Sequence, residues 1–510
     1  MKTYSLGLDL GTTSTKTVLF DEGLQQVASH EVEYPLLTPK PSWAEQDPAV
    51  ILDAVYVAIR EVVALANVLP EQITEAGISS AMHSLMAVDQ DGEPLTRSII
   101  WADNRSAELT AQLKSENRAL EFYKRSGTPI HPMSWLLKLP WFQLHEKELV
   151  ERTSKFISIK EYVCWDLFGE YVVDHSMATG TGLFSLRNMD WDEEALSYAG
   201  ISAEKLSRPV ATTYELPNMS QEKAEMLGLT QETRWIIGAG DGVLANVGVG
   251  ALNPGEVAVT IGTSGAVRTV VDEPLIDEQG RTFCYALTED RWVIGGPTNN
   301  GGMMLRWVRD EFSGVDIQEA ERLGVSGYDH LMQVAGAVPA GAEGLLFLPF
   351  LNGERAPHWD PNARGVFFGI GMHHQRAHFI RAVMEGVLFS VYSVALALRD
   401  VSGQVSHVRA SGGFAKSSFW RQMLADVMDK PVSVPETHNA SALGAVVLAR
   451  HALGKMKLED VKESIPVVQT HEPNRHNRAI YDELFTMYTR LYEKLKEEFD
   501  EMTRVQQRYS

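Results

Sequence analysis

Cysteine is almost missing from this chain. Only Cys164 and Cys284 occur in 510 residues. Neither belongs to a metal-ligand spacing, and so sparse a count fits a reducing cytosol. Positive charge is also short. Lys and Arg number 46 against 67 Asp and Glu, giving a formal net charge of −21. Such a balance argues against a nucleic-acid partner and against an anionic membrane surface. Anionic substrates then have to be held by local features against the global field. No apolar run approaches the length of a membrane span. The start reads as a strand, not as a basic region followed by an apolar signal core. The P-loop pattern G-x-x-x-x-G-K-[ST] is missing, and so is a complete G-x-G-x-x-G, so neither kind of nucleotide site is supported. No low-complexity tract or long flexible linker occurs.

What remains is ordinary for a globular protein: 44% hydrophobic and 22% charged residues. The length suffices for two sizeable domains. Ser5 to Lys16 reads as a strand, a tight turn and the start of a second strand. Gly11 lets the backbone approach a ligand closely. Backbone N–H groups around Thr12, Thr13 and Ser14 can form a nest for phosphate oxygens. Asp9 can hold Mg²⁺ through water, because Mg²⁺ dehydrates reluctantly. Lys16 can act as a point charge near a transferring phosphate. A hydroxyl-rich hairpin is the plainer alternative. A second copy weakens that alternative: Glu256 to Gly265 again runs an apolar strand into Gly262-Thr263-Ser264. Two such loops half a chain apart suggest a duplicated domain.

Along the chain, strands are expected over 3–35. Asp47 and Pro48 open a helix on which Ile51, Val55, Ala58 and Val62 repeat. Ala76–Ser80 reads as a buried strand, and helices are expected near 104–125 and 160–168. Trp235–Ala239 reads as a strand entering the corner Gly240-Asp241-Gly242. The turn signal Asn253-Pro254-Gly255 marks the best boundary. We therefore expect domains at 1–252 and 253–455, followed by an extension at 456–510. A long apolar helix is expected over 378–399. A final amphipathic helix, about 478–502, carries Ile480, Leu484, Tyr488, Leu491, Leu495 and Phe499 on one stripe. Asp241 is the best candidate for a general base, since it ends an apolar strand between two glycines. Capping of the following helix is its bland alternative.

The order of these motifs resembles the FGGY family of carbohydrate kinases. Gly365–Ile370 with His378–Glu385, and Ser411-Gly412-Gly413-Phe414-Ala415-Lys416-Ser417, extend the likeness to about residue 450. The resemblance implies an α/β fold of two actin-like (ribonuclease H-like) domains around a central cleft, with ATP and Mg²⁺ as cofactors. It implies a cytoplasmic enzyme acting on a small sugar or sugar acid, with no nucleic-acid or membrane partner and with a homodimer as one allowed assembly. By the same resemblance Asp9 is the magnesium carboxylate and Asp241 the base. Gly11, Thr12, Thr13, Ser14, Lys16, Gly262 and Thr263 form the phosphate loops. Gly302 and Arg306 flank the nucleotide, and Gly413, Ala415 and Ser417 form the adenosine turn. A helix start with a surface Arg would also explain Gly302 and Arg306.

On the acceptor side the resemblance points to Met82, His83, Asp103, Arg105 and Asp241. The stretch Ile78–Ser106 is most similar to family members acting on gluconate. That implies phosphorylation of D-gluconate to 6-phospho-D-gluconate, with Arg105 reading the carboxylate through its planar guanidinium. Asp103 then reads a hydroxyl or only braces Arg105, and His83 can also be a structural loop histidine. Gly242 after the base, and a loosely kept motif at His131–Lys138, depart from the family pattern. A xylulose, pentulose or polyol kinase is the alternative. A non-catalytic actin-like sugar sensor is the alternative of another class.

Overall fold

The computed structural model describes residues 2–116, 118–436 and 439–509. Two compact units divide the chain. The first takes Met1–Asn253, Val270–Ile294 and Asn439–Ile465; the second takes Pro254–Thr269, Gly295–His438 and Pro466–Ser510.

The first unit is built on five strands in the order Arg234–Gly240, Ile73–Ser80, Tyr4–Leu10, Ser14–Asp21 and Gln26–Glu33. The last three form an antiparallel meander, and the first two run parallel to Tyr4–Leu10. The helix Pro48–Ala66 starts as its sequence demands. The Asp47 carboxylate accepts the Ala49 N–H, and Ile51, Val55, Ala58 and Val62 are buried. The region 104–125 divides into helices Ala107–Ser115 and Arg118–Ser126. The helix Ile159–Phe168 is opened by a Ser158–Glu161 capping box and closed by Gly169. The helix Ala440–Ala452 lies against this sheet. Contact is so close that a Cβ at Gly77 would sit 2.2 Å from the Ala445 carbonyl oxygen.

The second unit repeats the plan. Trp292–Thr298, Gly265–Val271, Glu256–Ile261, His407–Ser411 and Val432–Pro435 lie in that order. Glu256–Ile261 and Gly265–Val271 form the antiparallel hairpin, and His407–Ser411 runs parallel to the former. The long helix Arg376–Ser402 corrects one expectation. Its apolar stretch is long enough to cross a membrane by length and composition, yet most of it is buried within the protein. A core helix packed on all sides reads like a span, because both surroundings are apolar. The last helix, Arg478–Tyr509, shifts the expected stripe. Tyr481, Leu484, Tyr488, Tyr492 and Phe499 are buried, while Ile480, Leu491 and Leu495 are only half-buried. Two of the tyrosines reach in with partnered hydroxyls. Tyr481 donates to Glu385 over 3.1 Å and Tyr492 to Asp360 over 3.0 Å.

Candidate functional site

In the first unit, cross-strand register lines up a polar row. Ala239 pairs with Ser79, Ser79 with Asp9, Asp9 with Lys16, and Lys16 with Glu31. The Ser79 hydroxyl donates to Asp9 Oδ1 at 2.7 Å. Burial pushes the Asp9 carboxyl up to about 6, and the charge of Asp241 adds to the rise against the Ser79 hydrogen bond. A buried carboxylate beside another acid is the chemistry a cation relieves. One carboxylate acting through water suits Mg²⁺, so the residues present fit that ion.

The loop after Asp9 is closed by the Gly11 N–H, which donates to the Ser14 carbonyl at 2.9 Å. Three residues outside the motif hold it. The Tyr34 hydroxyl donates to the Gly11 carbonyl at 2.6 Å, Gln46 donates to the Thr12 carbonyl, and Trp101 Nε1 donates to Thr12 Oγ1 at 3.0 Å. Sequence reasoning missed Tyr34 and Gln46, whose distance along the chain leaves no local signal. Thr13 is exposed at the loop tip. Ser14 Oγ and Lys16 Nζ both turn to Glu31, at 2.6 and 2.7 Å.

Asp241 opens the helix Asp241–Gly248 directly after the strand Arg234–Gly240. The strand bulges between Ile236 and Ala239. Gly238 sits there at φ +70°, where a Cβ would lie 1.9 Å from the Ile78 carbonyl oxygen, so only glycine fits. Asp241 is the first helical residue, after an N-cap at Gly240, and its half-buried carboxylate accepts the Gly242 N–H at 2.6 Å. An acid in the first helical turn is favoured by the helix dipole.

Met82 packs against the approach to Asp241: a Cβ at Gly240 would meet Met82 Cγ at 2.7 Å. His83 holds φ +66°. Its Nδ1 lies 2.8 Å from the Gly180 carbonyl and its Nε2 3.3 Å from the Tyr285 hydroxyl. Tyr285, 202 residues away, had no signal in the sequence.

Two acceptor-side residues, Arg105 and Asp103, are bonded to each other. The Arg105 side chain is only 4% exposed. It binds Asp103 through Nε at 2.8 Å and NH2 at 2.9 Å, and Glu45 through NH2 at 2.6 Å. Its guanidinium lies 3.8 Å from the Trp43 ring centroid. Two carboxylates therefore engage Arg105 through Nε and NH2, which makes it a brace of this loop. Asp103 is fully buried and also accepts the N–H groups of Ala44 and Arg105. It braces the loop, the second of the two roles expected for it.

In the second unit the loop Gly262–Ser264 closes as the first one does, the Gly262 N–H donating to the Ser264 carbonyl at 2.9 Å. A neighbouring segment is stitched to it: the Gly302 N–H donates to the Gly262 carbonyl at 2.7 Å, and the Gly301 N–H to the Thr263 carbonyl at 3.2 Å. A Cβ at Gly302 would fall 2.7 Å from the Gly262 carbonyl oxygen. Gly302 caps the helix Met303–Phe312, on which Arg306 is exposed. Thr260 and Ser411 exchange a hydroxyl hydrogen bond at 2.9 Å, tying the Gly413 turn to the strand before Thr263. A Cβ at Gly413 would meet nothing within 4 Å, so the turn is open on that side. Ala415 follows, and Ser417 caps the helix Ser418–Met428 by accepting the Trp420 N–H.

Comparison with known proteins agrees with this architecture. Residues 4–248 match the N-terminal domain and 257–453 the C-terminal domain of the FGGY family of carbohydrate kinases. The chain is 47% identical over 505 residues to a gluconokinase of Bacillus subtilis, covering 98% of each chain. It is 30% identical to a xylulose kinase of the same organism over 97% of each. The crystal structure of a gluconate kinase from Lactobacillus acidophilus superimposes with a TM-score of 0.92 at 36% identity, covering 98% of this chain and 100% of that one. The chain belongs to the FGGY family of carbohydrate kinases.

Proposed function

We propose that this kinase transfers the γ-phosphoryl group of ATP to D-gluconate, giving 6-phospho-D-gluconate and ADP. The observation that carries the reading is Asp241, a half-buried carboxylate at a strand end, next in space to Met82 and electrostatically coupled to Asp9. Asp241 accepts the proton of the acceptor hydroxyl as its oxygen bonds to phosphorus and the bond to the ADP oxygen breaks. Such transfer is mostly positioning and charge stabilisation. The Gly11–Lys16 and Gly262–Thr263 loops offer N–H and hydroxyl groups to the phosphates, while Gly302, Arg306, Gly413, Ala415 and Ser417 hold the rest of the nucleotide. Asp9 would hold Mg²⁺ through water, and that ion supplies charge neutralisation to the phosphates when bound. Met82 and His83 meet the acceptor. The gluconokinase relatives support the choice of acceptor. The reading sets the enzyme in the cytoplasm, where ATP is plentiful.

One observation favours a second acceptor. With Arg105 neutralised by Asp103 and Glu45, a neutral pentulose such as xylulose loses nothing relative to a sugar acid. Coupled ADP release across gluconate, xylulose, ribulose and glycerol decides between them, and no turnover with any would turn the reading towards a sugar sensor. Asp241→Asn keeps the size of the side chain and loses the base. It should lower kcat by about 10²–10⁴-fold with little change in ATP binding. A kcat within a few-fold of wild type would remove Asp241 from the role.

A further inference from the structure

Lys138 has its ammonium buried in the first unit, on the helix Trp135–His145, with 0% of the residue exposed. Among the described residues it forms no ion pair. Its N–H groups go to three main-chain carbonyls: Ile100 at 2.9 Å, Met133 at 3.0 Å and His83 at 3.4 Å. Burial pushes this ammonium down to about 7, with Asp103 acting the other way. An apolar side chain of the same length would fill the space without burying a charge. The charge therefore needs a reason, and the carbonyls supply one.

Each carbonyl belongs to a different segment of the acceptor side. His83 follows Met82, Ile100 precedes Trp101, and Met133 leads into the helix that carries Lys138 itself. His83 is the strained member. Its φ of +66° is unfavourable for a side chain with a Cβ, and such residues persist only where their surroundings over-determine them. The surroundings do so here. The Ala81 N–H donates to the Leu10 carbonyl at 2.7 Å, Trp135 Nε1 to the Ser84 carbonyl at 2.9 Å, and Lys138 to His83 between them. The strained backbone in turn aims the ring. The Gly180 carbonyl only accepts, so His83 Nδ1 carries the proton and Nε2 is the acceptor, beside the Tyr285 hydroxyl. The Tyr285 hydroxyl then donates to Nε2, so the ring fixes the direction of that hydroxyl, whose oxygen can accept from a polyol chain.

We propose that Lys138 is a positioning residue for the acceptor: its ammonium gathers the three carbonyls and holds His83 in the conformation in which Nε2 orients the Tyr285 hydroxyl. The proposal rests on the assignment of Met82 and His83 to the acceptor side. It requires a loss confined to the acceptor, because among the described residues Lys138 bonds to no residue of either phosphate loop. It also requires a loss independent of the acceptor's charge.

The test is steady-state kinetics of Lys138→Met and Lys138→Gln on gluconate and xylulose, with ATP affinity by calorimetry and the thermal midpoint measured alongside. A hydrogen bond to a charged group is worth roughly ten- to a hundred-fold in binding, which sets the size of the effect. Lys138→Met should raise KM for both acceptors by that factor and leave ATP affinity within about two-fold. Lys138→Gln, which keeps a neutral donor, should fall between it and wild type; it carries the test alone should the methionine variant not fold. Acceptor KM and ATP affinity worsening together would show general loosening and overturn the proposal. So would unchanged acceptor KM. Should the wild type prefer xylulose, the gluconate reading fails by itself, and the same comparison on xylulose still decides the role of Lys138.

Discussion

Replacing Arg105 with Met separates a structural brace from a carboxylate reader. The substitution removes three charge-assisted hydrogen bonds from a side chain that is 4% exposed. It leaves Asp103 fully buried without a guanidinium, and Glu45 largely buried with only Arg97 at 3.8 Å. Breaking a buried pair by removing one partner costs about 3–5 kcal/mol. The first unit has about 300 residues. At about 2.1 cal/mol/K per residue its unfolding entropy is about 0.6 kcal/mol/K, so the thermal midpoint should fall by about 5–8 °C. Methionine fills part of the stacking space on Trp43 and Trp141, which limits the packing loss to a fraction of that sum. Calorimetry reads the midpoint, and coupled ADP release reads KM for gluconate and xylulose at a temperature where the variant is folded. The brace predicts a lowered midpoint and equal changes on both acceptors. An unchanged midpoint with a KM rise on gluconate alone would refute the brace and restore Arg105 as the carboxylate reader.

Two further outcomes follow from the polar row of the first unit. The Asp9 carboxyl stands at about 6 in the fold against 3.8 as its ordinary value, with burial the main cause. Between those values the folded form holds more protons than the unfolded form, so stability falls as pH rises from about 4 to about 6, by about 3 kcal/mol in all. Asp9→Asn should therefore raise the thermal midpoint at pH 7.5 without ATP while destroying turnover, and a lowered midpoint would contradict the origin given for the shift. Glu31 takes the Ser14 hydroxyl and the Lys16 ammonium. Glu31→Gln should free both for phosphate and tighten ATP binding by up to about five-fold, the scale of a part-exposed ion pair, and weaker ATP binding in calorimetry would contradict this.

Chemistry confined to a few consecutive residues was legible in the sequence. The Gly11 and Gly262 loops, the strand before Asp241 and the Asp47 cap all follow from neighbours within a turn or two, where spacing alone dictates geometry. Long-range partnership was not legible. Glu45 meets Arg105 across 60 positions and Tyr285 meets His83 across 202. Partners of Lys138 are main-chain carbonyls, which leave no trace in residue type. The burial of Arg376–Ser402 was equally hidden, since an apolar stretch does not say whether lipid or protein surrounds it.

The bracing of Arg105 has a trace in the sequence. Asp103 lies two residues before it, close enough to accept both the Arg105 N–H and the Arg105 side chain. In this loop that spacing pairs the two side chains before any substrate arrives. A second acid, Glu45, lies 2.6 Å from Arg105 and 3.8 Å from Arg97, so two arginines and two acids balance in formal charge. A gluconate carboxylate brought beside that balanced cluster finds no net charge to attract it. Preference for gluconate over a neutral ketose has to come from neutral donors such as main-chain N–H groups and hydroxyls. Those are worth about 0.5–1.5 kcal/mol each, or roughly two- to twelve-fold in binding. Selectivity among acceptors is then a sum of small terms, and it rests on how firmly Met82, His83 and Tyr285 are held rather than on a single salt bridge.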